Sequence, residues 1–198
     1  MRIIESLEAG KIYHLYNRGI NGENIFKEKR NYYYFLDKYK EYCSDILETY
    51  AYSLLKNHFH FIVKIKEAAI VPRKDGKGKI ELKGSKQLSH FFNSYAQSYN
   101  KAYKRHGKLL EEPFKRKLIS NDAYFTSLIY YIHFNPQHHQ FVNDFREWEF
   151  TSWHGIMNNI SGFIAREKVI EWFGSKEQFE EAHLGNLTFN NLLDLIIE

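Results

Sequence analysis

The stretch NHFHFIVKI, residues 57–65, decides how the chain is read. Residues of a β-strand alternate faces, so His58, His60 and Ile62 point one way and Phe59, Phe61 and Val63 the other. Apolar side chains on both faces mark a strand inside a sheet, covered on each side. The two imidazoles then project side by side, with Cα atoms about 6.6 Å apart. That spacing suits two ligands of one metal ion. A pair of histidines on a half-exposed strand with no metal is the plainer alternative.

Outward from this strand, the pattern alternates between two periodicities. GKIYHLYNRGI (residues 10–20) alternates apolar and polar residues and reads as a first strand. In residues 28–46, Tyr32, Phe35, Leu36 and Tyr39 recur at helical spacing. ETYAYSLLK (residues 48–56) reads as a second strand, with a tight turn at Lys56-Asn57, where Asn tolerates positive φ. Residues 68–85, AAIVPRKDGKGKIELKGS, read as a long basic loop. A second long helix follows over residues 86–107, with Leu88, Phe91, Phe92 and Tyr95 on one side and Gly107 as its stop. EPFKRKLIS (residues 112–120) reads as a fourth strand. Residues 121–136 form a third helix, capped by Asn121 or Asp122 and closed by Pro136.

The order β-α-β-β-α-β is that of a ferredoxin-like α+β fold, an antiparallel sheet with two helices on one face and the histidine strand at its centre. The third helix is an addition. Residues 1–136 are expected to form the main domain and residues 137–198 an acidic, aromatic helical extension packed on it.

The third helix brings chemistry near the histidines. Phe125, Leu128, Ile129 and Ile132 define its core stripe. At about 100° per residue, Tyr131 and Asn135 both fall about 70–110° to one side of that stripe, and being four apart they share an edge. Tyr124 lies on the same edge two turns earlier, whereas Tyr130 is expected to face solvent. Two imidazoles and an amide oxygen make a mixed nitrogen and oxygen set that suits Mg²⁺ or Mn²⁺ and is open to Zn²⁺. An amphipathic boundary tyrosine and an ordinary Asn-Pro helix ending are the alternatives.

Cys43 is the only cysteine, which excludes an intramolecular disulfide and a cysteine-based zinc cluster. No apolar run is long enough for a signal peptide or a membrane span, so a bacterial cytoplasmic, nucleoid-associated protein is expected. The net charge of +4 hides an uneven distribution. Residues 64–86 carry +5, residues 101–117 carry +5 and residues 143–198 carry −6. Clustered Lys and Arg point to a polyanion, most often nucleic acid. Solvated surface is the alternative. The candidate phosphate contacts are Arg18, Lys101, Lys104, Arg105, Lys115, Arg116 and Lys117.

KIYHLYNRG, LLKNHFHFIVKI, NSYAQSYNKAYKRHGKLLEEPFKRKLI, LIYYIHFNPQHH and FTSW follow one another in the order found in the single-tyrosine HUH transposases. The chain resembles their REP-associated tyrosine transposase branch from about Gly10 to Trp153, and EWFGSKEQFEEAH resembles the tail of that group. The resemblance implies a metal-dependent endonuclease and strand transferase acting on single-stranded DNA and DNA hairpins. His58, His60 and Asn135 would hold Mg²⁺ or Mn²⁺, and Tyr131 would be the nucleophile, forming a 5′-phosphotyrosine. Related enzymes include monomers and homodimers, and either state fits. Two positions depart from the pattern: Lys56 stands where a Pro commonly precedes the Asn-His, and GKLLEEP replaces Gly-x-Leu-Phe-Gln. A catalytically inactive hairpin-binding protein of the same fold is one alternative, and a metal-dependent phosphoesterase using water is another.

Overall fold

The structure is a computed structural model describing residues 6–67, 69–72, 77–160 and 162–185. Strand β1 (Ile12–Arg18) is followed by a 3-10 turn (Ile20–Gly22) and helix α1 (Lys29–Cys43). Strands β2 (Leu47–Leu54) and β3 (His58–Ile65), a hairpin of β4 (Ala69–Pro72) and β5 (Lys79–Leu82), helix α2 (Gly84–Ala102) and strand β6 (Lys115–Leu118) come next. Helix α3 (Asp122–His138) leads into α4 (Trp153–Met157), α5 (Arg166–Phe173) and α6 (Lys176–Leu184). The antiparallel sheet has the order β2-β3-β1-β6, so β1 and β3 are central as a ferredoxin-like fold requires.

Two apolar layers form because β3 is apolar on both faces. Phe59, Phe61 and Val63 join Tyr32, Phe35 and Tyr39 of α1 and Leu88, Phe91 and Tyr95 of α2 in one cluster. On the other face, Ile62 joins Phe125, Leu128, Ile129 and Ile132 of α3. The same second cluster takes in Phe145, Trp153, Ile156, Val169 and Phe179, so the segment after α3 packs against that helix. Helix α3 is capped at its start by the Asn121 side chain, which accepts from the Tyr124 N–H at 2.8 Å.

Four local expectations are corrected. Residues 69–72 and 79–82 pair as a hairpin instead of a loop. The ladder runs from Ala69 opposite Leu82 to Pro72 opposite Lys79, and Leu82 packs against the helical core layer; residues 68 and 73–76 lie outside the described residues. Helix α2 stops before Gly107, because Lys104 takes φ +51° and the Arg105 N–H reaches back to the Asn100 carbonyl at 2.9 Å. That is a Schellman ending with lysine in the left-handed position. Helix α3 runs through Pro136 to His138 and closes with the His139 N–H on the Asn135 carbonyl at 2.9 Å; position 136/137 thus falls inside the helix. At the β2–β3 turn, neither Lys56 nor Asn57 takes positive φ. Neighbouring backbone straps this turn instead. The Gly19 N–H donates to the Asn57 carbonyl, and those of Ile25 and Phe26 to the Lys56 carbonyl, at 2.8–2.9 Å.

Candidate active site

Register places the site. Directly opposed residues of antiparallel strands share a face, so Ser53, His60, Tyr16 and Lys115 form one row across the sheet. Ala51, Ile62, His14 and Lys117 form the next, and Arg18 sits opposite His58. This is the face that α3 covers. Gly19 ends the strand where nothing larger fits, because a Cβ there would lie 2.0 Å from the Glu23 carbonyl oxygen.

The two histidine rings lie 5.1 Å apart, centroid to centroid, at 90°. Each has Nδ1 engaged: His58 with Asn57 Oδ1 at 2.7 Å, and His60 with His14 Nε2 at 2.9 Å. In the tautomer that offers Nε2 to a ligand, His58 Nδ1–H donates to Asn57 and His60 Nδ1–H donates to His14. Supports of this kind orient metal-binding imidazoles. His14, Tyr16 and His60 stack nearly parallel, with His14–Tyr16 centroids 4.6 Å apart. Burial, with Lys117 nearby, lowers the His14 pKa to about 3, and burial followed by the charges of His58, His14 and His139 holds His60 well below its ordinary value. His60 is therefore held in the neutral form, the form that accepts a metal, beside a neutral His14.

Helix α3 presents Tyr131, Asn135 and His139 four residues apart along one edge. The Tyr131 ring meets His60 edge-on at 6.0 Å, and the His139 ring meets His58 at 5.0 Å. Asn135 is fully buried, and neither its Oδ1 nor its Nδ2 has a hydrogen-bond partner. A buried amide left this way is rare and calls for an unseen partner. An amide oxygen on the same helix edge as the rings that meet His58 and His60 fits, with those two buried imidazoles, a divalent cation in donor chemistry. Among the described residues no three His, Cys, Asp or Glu cluster as a metal site.

A cavity of about 240 Å³ opens onto the histidines, walled by Tyr16, Asn17, Arg18, Lys115 and His139 among others. Tyr131 and Asn135 do not line it. Tyr131 is 3% exposed. Tyr130, expected at the surface, is buried at 6% exposure, stacked on Phe134 and close to His183 of α6. The segment after α3 covers the face that would otherwise be wet, and burial raises the Tyr130 pKa. Tyr124 is half-buried, its hydroxyl without a hydrogen-bond partner and its pKa raised to about 12, by burial first and Tyr16 second.

The seven basic candidates divide. Lys115 and Lys117 face the site, Lys115 with its ammonium 5.5 Å over the Tyr16 ring and Lys117 5.2 Å over that of Tyr124. Arg18 lies at the cavity mouth, bonded at 2.6 Å to Glu111, which also approaches Lys115. Arg116 points to the opposite face, stacked on Phe114. Lys101, Lys104 and Arg105 sit at the end of α2, away from the site, and Arg105 is tied to Glu23 and the Lys108 carbonyl. Alternation along KRK, one residue in and one out, separates them.

Sequence reasoning missed His14, Asn57 and His139. His139 continues the i, i+4 line through Tyr131 and Asn135, a signal that was present. It also missed a second imidazole pair that ties the extension to α3. His183 Nδ1–H donates to the Phe179 carbonyl at 2.7 Å, leaving Nε2 to accept from His133 Nδ1–H at 2.9 Å. His133 Nε2 then accepts from the Ser152 hydroxyl at 2.6 Å, and Ser152 Oγ accepts from the Tyr52 N–H. Every member is satisfied with both rings neutral.

No family model matches the chain, and no curated protein matches it either. Among solved structures, that of the REP-associated tyrosine transposase bound to a REP hairpin is similar, with a TM-score of 0.58 and 16% identity over 82% of this chain and 89% of that one. This chain therefore has the fold of a REP-associated tyrosine transposase.

Proposed function

We propose that the protein is a divalent-metal-dependent DNA strand transferase that cleaves and rejoins single-stranded DNA at hairpins through Tyr131. The observation that carries the reading is the meeting of β3 and α3: two buried imidazoles supported through Nδ1, a buried amide without a hydrogen-bond partner, and a phenol against His60. A transposase of the same fold holding a DNA hairpin supports it. His58, His60 and Asn135 would hold Mg²⁺ or Mn²⁺. When bound, that ion supplies Lewis-acid stabilisation of charge on the scissile phosphate.

The chain's own groups supply the rest. Arg18 and Lys115 bind and orient the phosphate backbone at the cavity, with Lys117 one row further on the same sheet face. The Tyr131 oxygen attacks phosphorus, forming a P–O bond to tyrosine while the P–O3′ bond breaks. The phenolic proton passes, in net terms, to the departing 3′ oxygen. The reverse step with another 3′-hydroxyl rejoins DNA and consumes no nucleotide. A phenol with an ordinary pKa near 10 needs this assistance at neutral pH.

The test is incubation with single-stranded hairpins from the DNA flanking the protein's own gene, with Mn²⁺, followed by a denaturing gel. A covalent protein–DNA band lost in His58→Ala and His60→Ala supports the reading. Hairpin binding without a covalent band would instead mark a catalytically inactive binder, and cleavage that survives Tyr131→Phe a water-using phosphoesterase.

A further inference from the structure

Glu111 holds two of the cations that wall the histidine cavity. Its Oε1 lies 2.6 Å from Arg18 Nε and its Oε2 3.9 Å from Lys115 Nζ. Both cations belong to the sheet face that carries the histidines, Arg18 opposite His58 and Lys115 in the row of His60. Backbone pairing brings the carboxylate to them. The Glu111 N–H donates to the Arg18 carbonyl and the Ile20 N–H to the Leu109 carbonyl, each at 3.0 Å, while Gly19 bridges Leu110. Asn17 Nδ2 donates to the Glu111 carbonyl, also at 3.0 Å. Residues 109–111 are thus strapped along the end of β1, and the main chain as well as the ion pair sets Glu111 beside Arg18. Glu112, next in sequence, pairs instead with Lys108 at 2.8 Å, outside the cavity wall.

A carboxylate and a phosphodiester offer a guanidinium the same thing, a pair of anionic oxygens. Arg18 is more than half exposed, and an ion pair in that setting adds little to stability, so an incoming phosphate displaces it at small cost. The cost does not end there, because the displaced carboxylate stays beside the strand as a like charge. We propose that Glu111 competes with the DNA backbone for Arg18 and Lys115, so that occupancy of the histidine cavity depends on contacts the substrate makes elsewhere on the protein. The inference rests on the strand-transfer reading for its substrate class.

The test uses the full chain and an all-abasic single strand of about 12 nucleotides, which presents backbone alone, with affinity read by fluorescence anisotropy over a series of salt concentrations. Glu111→Gln keeps the shape and removes the charge. It should bind about threefold to tenfold tighter, with a salt dependence steeper by about 0.7 for each cation released to the strand. Glu112→Gln makes the same change in net charge one residue along and should leave both readings nearly unchanged. In an Arg18→Gln background most of the gain from Glu111→Gln should vanish, because the two side chains act on one site. Unchanged or weaker binding by Glu111→Gln, an equal gain in Glu112→Gln, or a gain that survives in full without Arg18 overturns the competition. Covalent adducts with hairpins are scored separately. Adducts without the gain sink the competition alone, and the gain without any adduct supports the competition and sinks strand transfer. No binding by any of these proteins overturns both.

Discussion

His14 shows what one residue contributes that no motif announces. It lies on β1, 46 residues from His60 in sequence, yet its Nε2 is 2.9 Å from His60 Nδ1. Strand pairing creates that contact, with Tyr16 opposite His60 and His14 one row away, so periodicity within a single strand could not reveal it. Removing it should leave His60 present but free to change tautomer. His14→Ala is expected to weaken Mn²⁺ binding about 10–100-fold, the range for lost second-layer partners, with the fold retained by circular dichroism. Calorimetry giving unchanged affinity would contradict the role. The metal candidates themselves were legible because alternation and helical spacing place His58, His60 and Asn135 without knowledge of any partner strand. Tyr130 was misread for the complementary reason: its position on the helix was right, and what covers it comes from residues 140 onwards.

At the scale of elements, strands and helices followed from periodicity, and their ends did not. Helix α2 illustrates the difference. Gly107 has the expected chemistry for a stop, yet the helix ends at Ala102 and the chain turns off at Lys104, where φ is +51°. A residue with a Cβ costs about 1–2 kcal/mol in that region, whereas glycine adds about 0.4–1 kcal/mol of unfolded-state entropy. The first effect wins, so Lys104→Gly should stabilise the fold by about 0.5–1 kcal/mol. A urea midpoint that stays or falls would show that the lysine side chain compensates. The β4–β5 hairpin was missed because each strand has only four residues, too few for alternation to outweigh glycine and lysine content.

Over the whole molecule, β3 organises everything by being apolar on both faces, with α1 and α2 on one side and α3 with the later helices on the other. The His133–His183 link fastens the second layer. Burial lowers the His183 pKa to about 4, whereas the unfolded chain titrates near 6.5. The unfolded state therefore takes up the proton first. This contribution to stability is fully present above about pH 6.5 and is lost as pH falls towards about 4, at up to about 1.4 kcal/mol per pH unit. Urea midpoints should fall between pH 6.5 and 4.5, less steeply in His183→Gln. Equal slopes in both proteins would remove His183 from the account. None of this was visible in the sequence, because the partners lie 50 residues apart.

We propose that β3 and α3 meet at one reactive phenol. Three tyrosines lie near the histidines: Tyr131 edge-on to His60, Tyr16 in the cavity wall and Tyr124 beside Lys117. Peptide mapping by mass spectrometry of a trapped DNA adduct separates them, with Tyr131→Phe and Tyr130→Phe as companions. The account predicts a nucleotide on the Tyr131 phenol, no adduct in Tyr131→Phe and nearly full adduct in Tyr130→Phe. A nucleotide on Tyr16, Tyr124 or Tyr130 would contradict it.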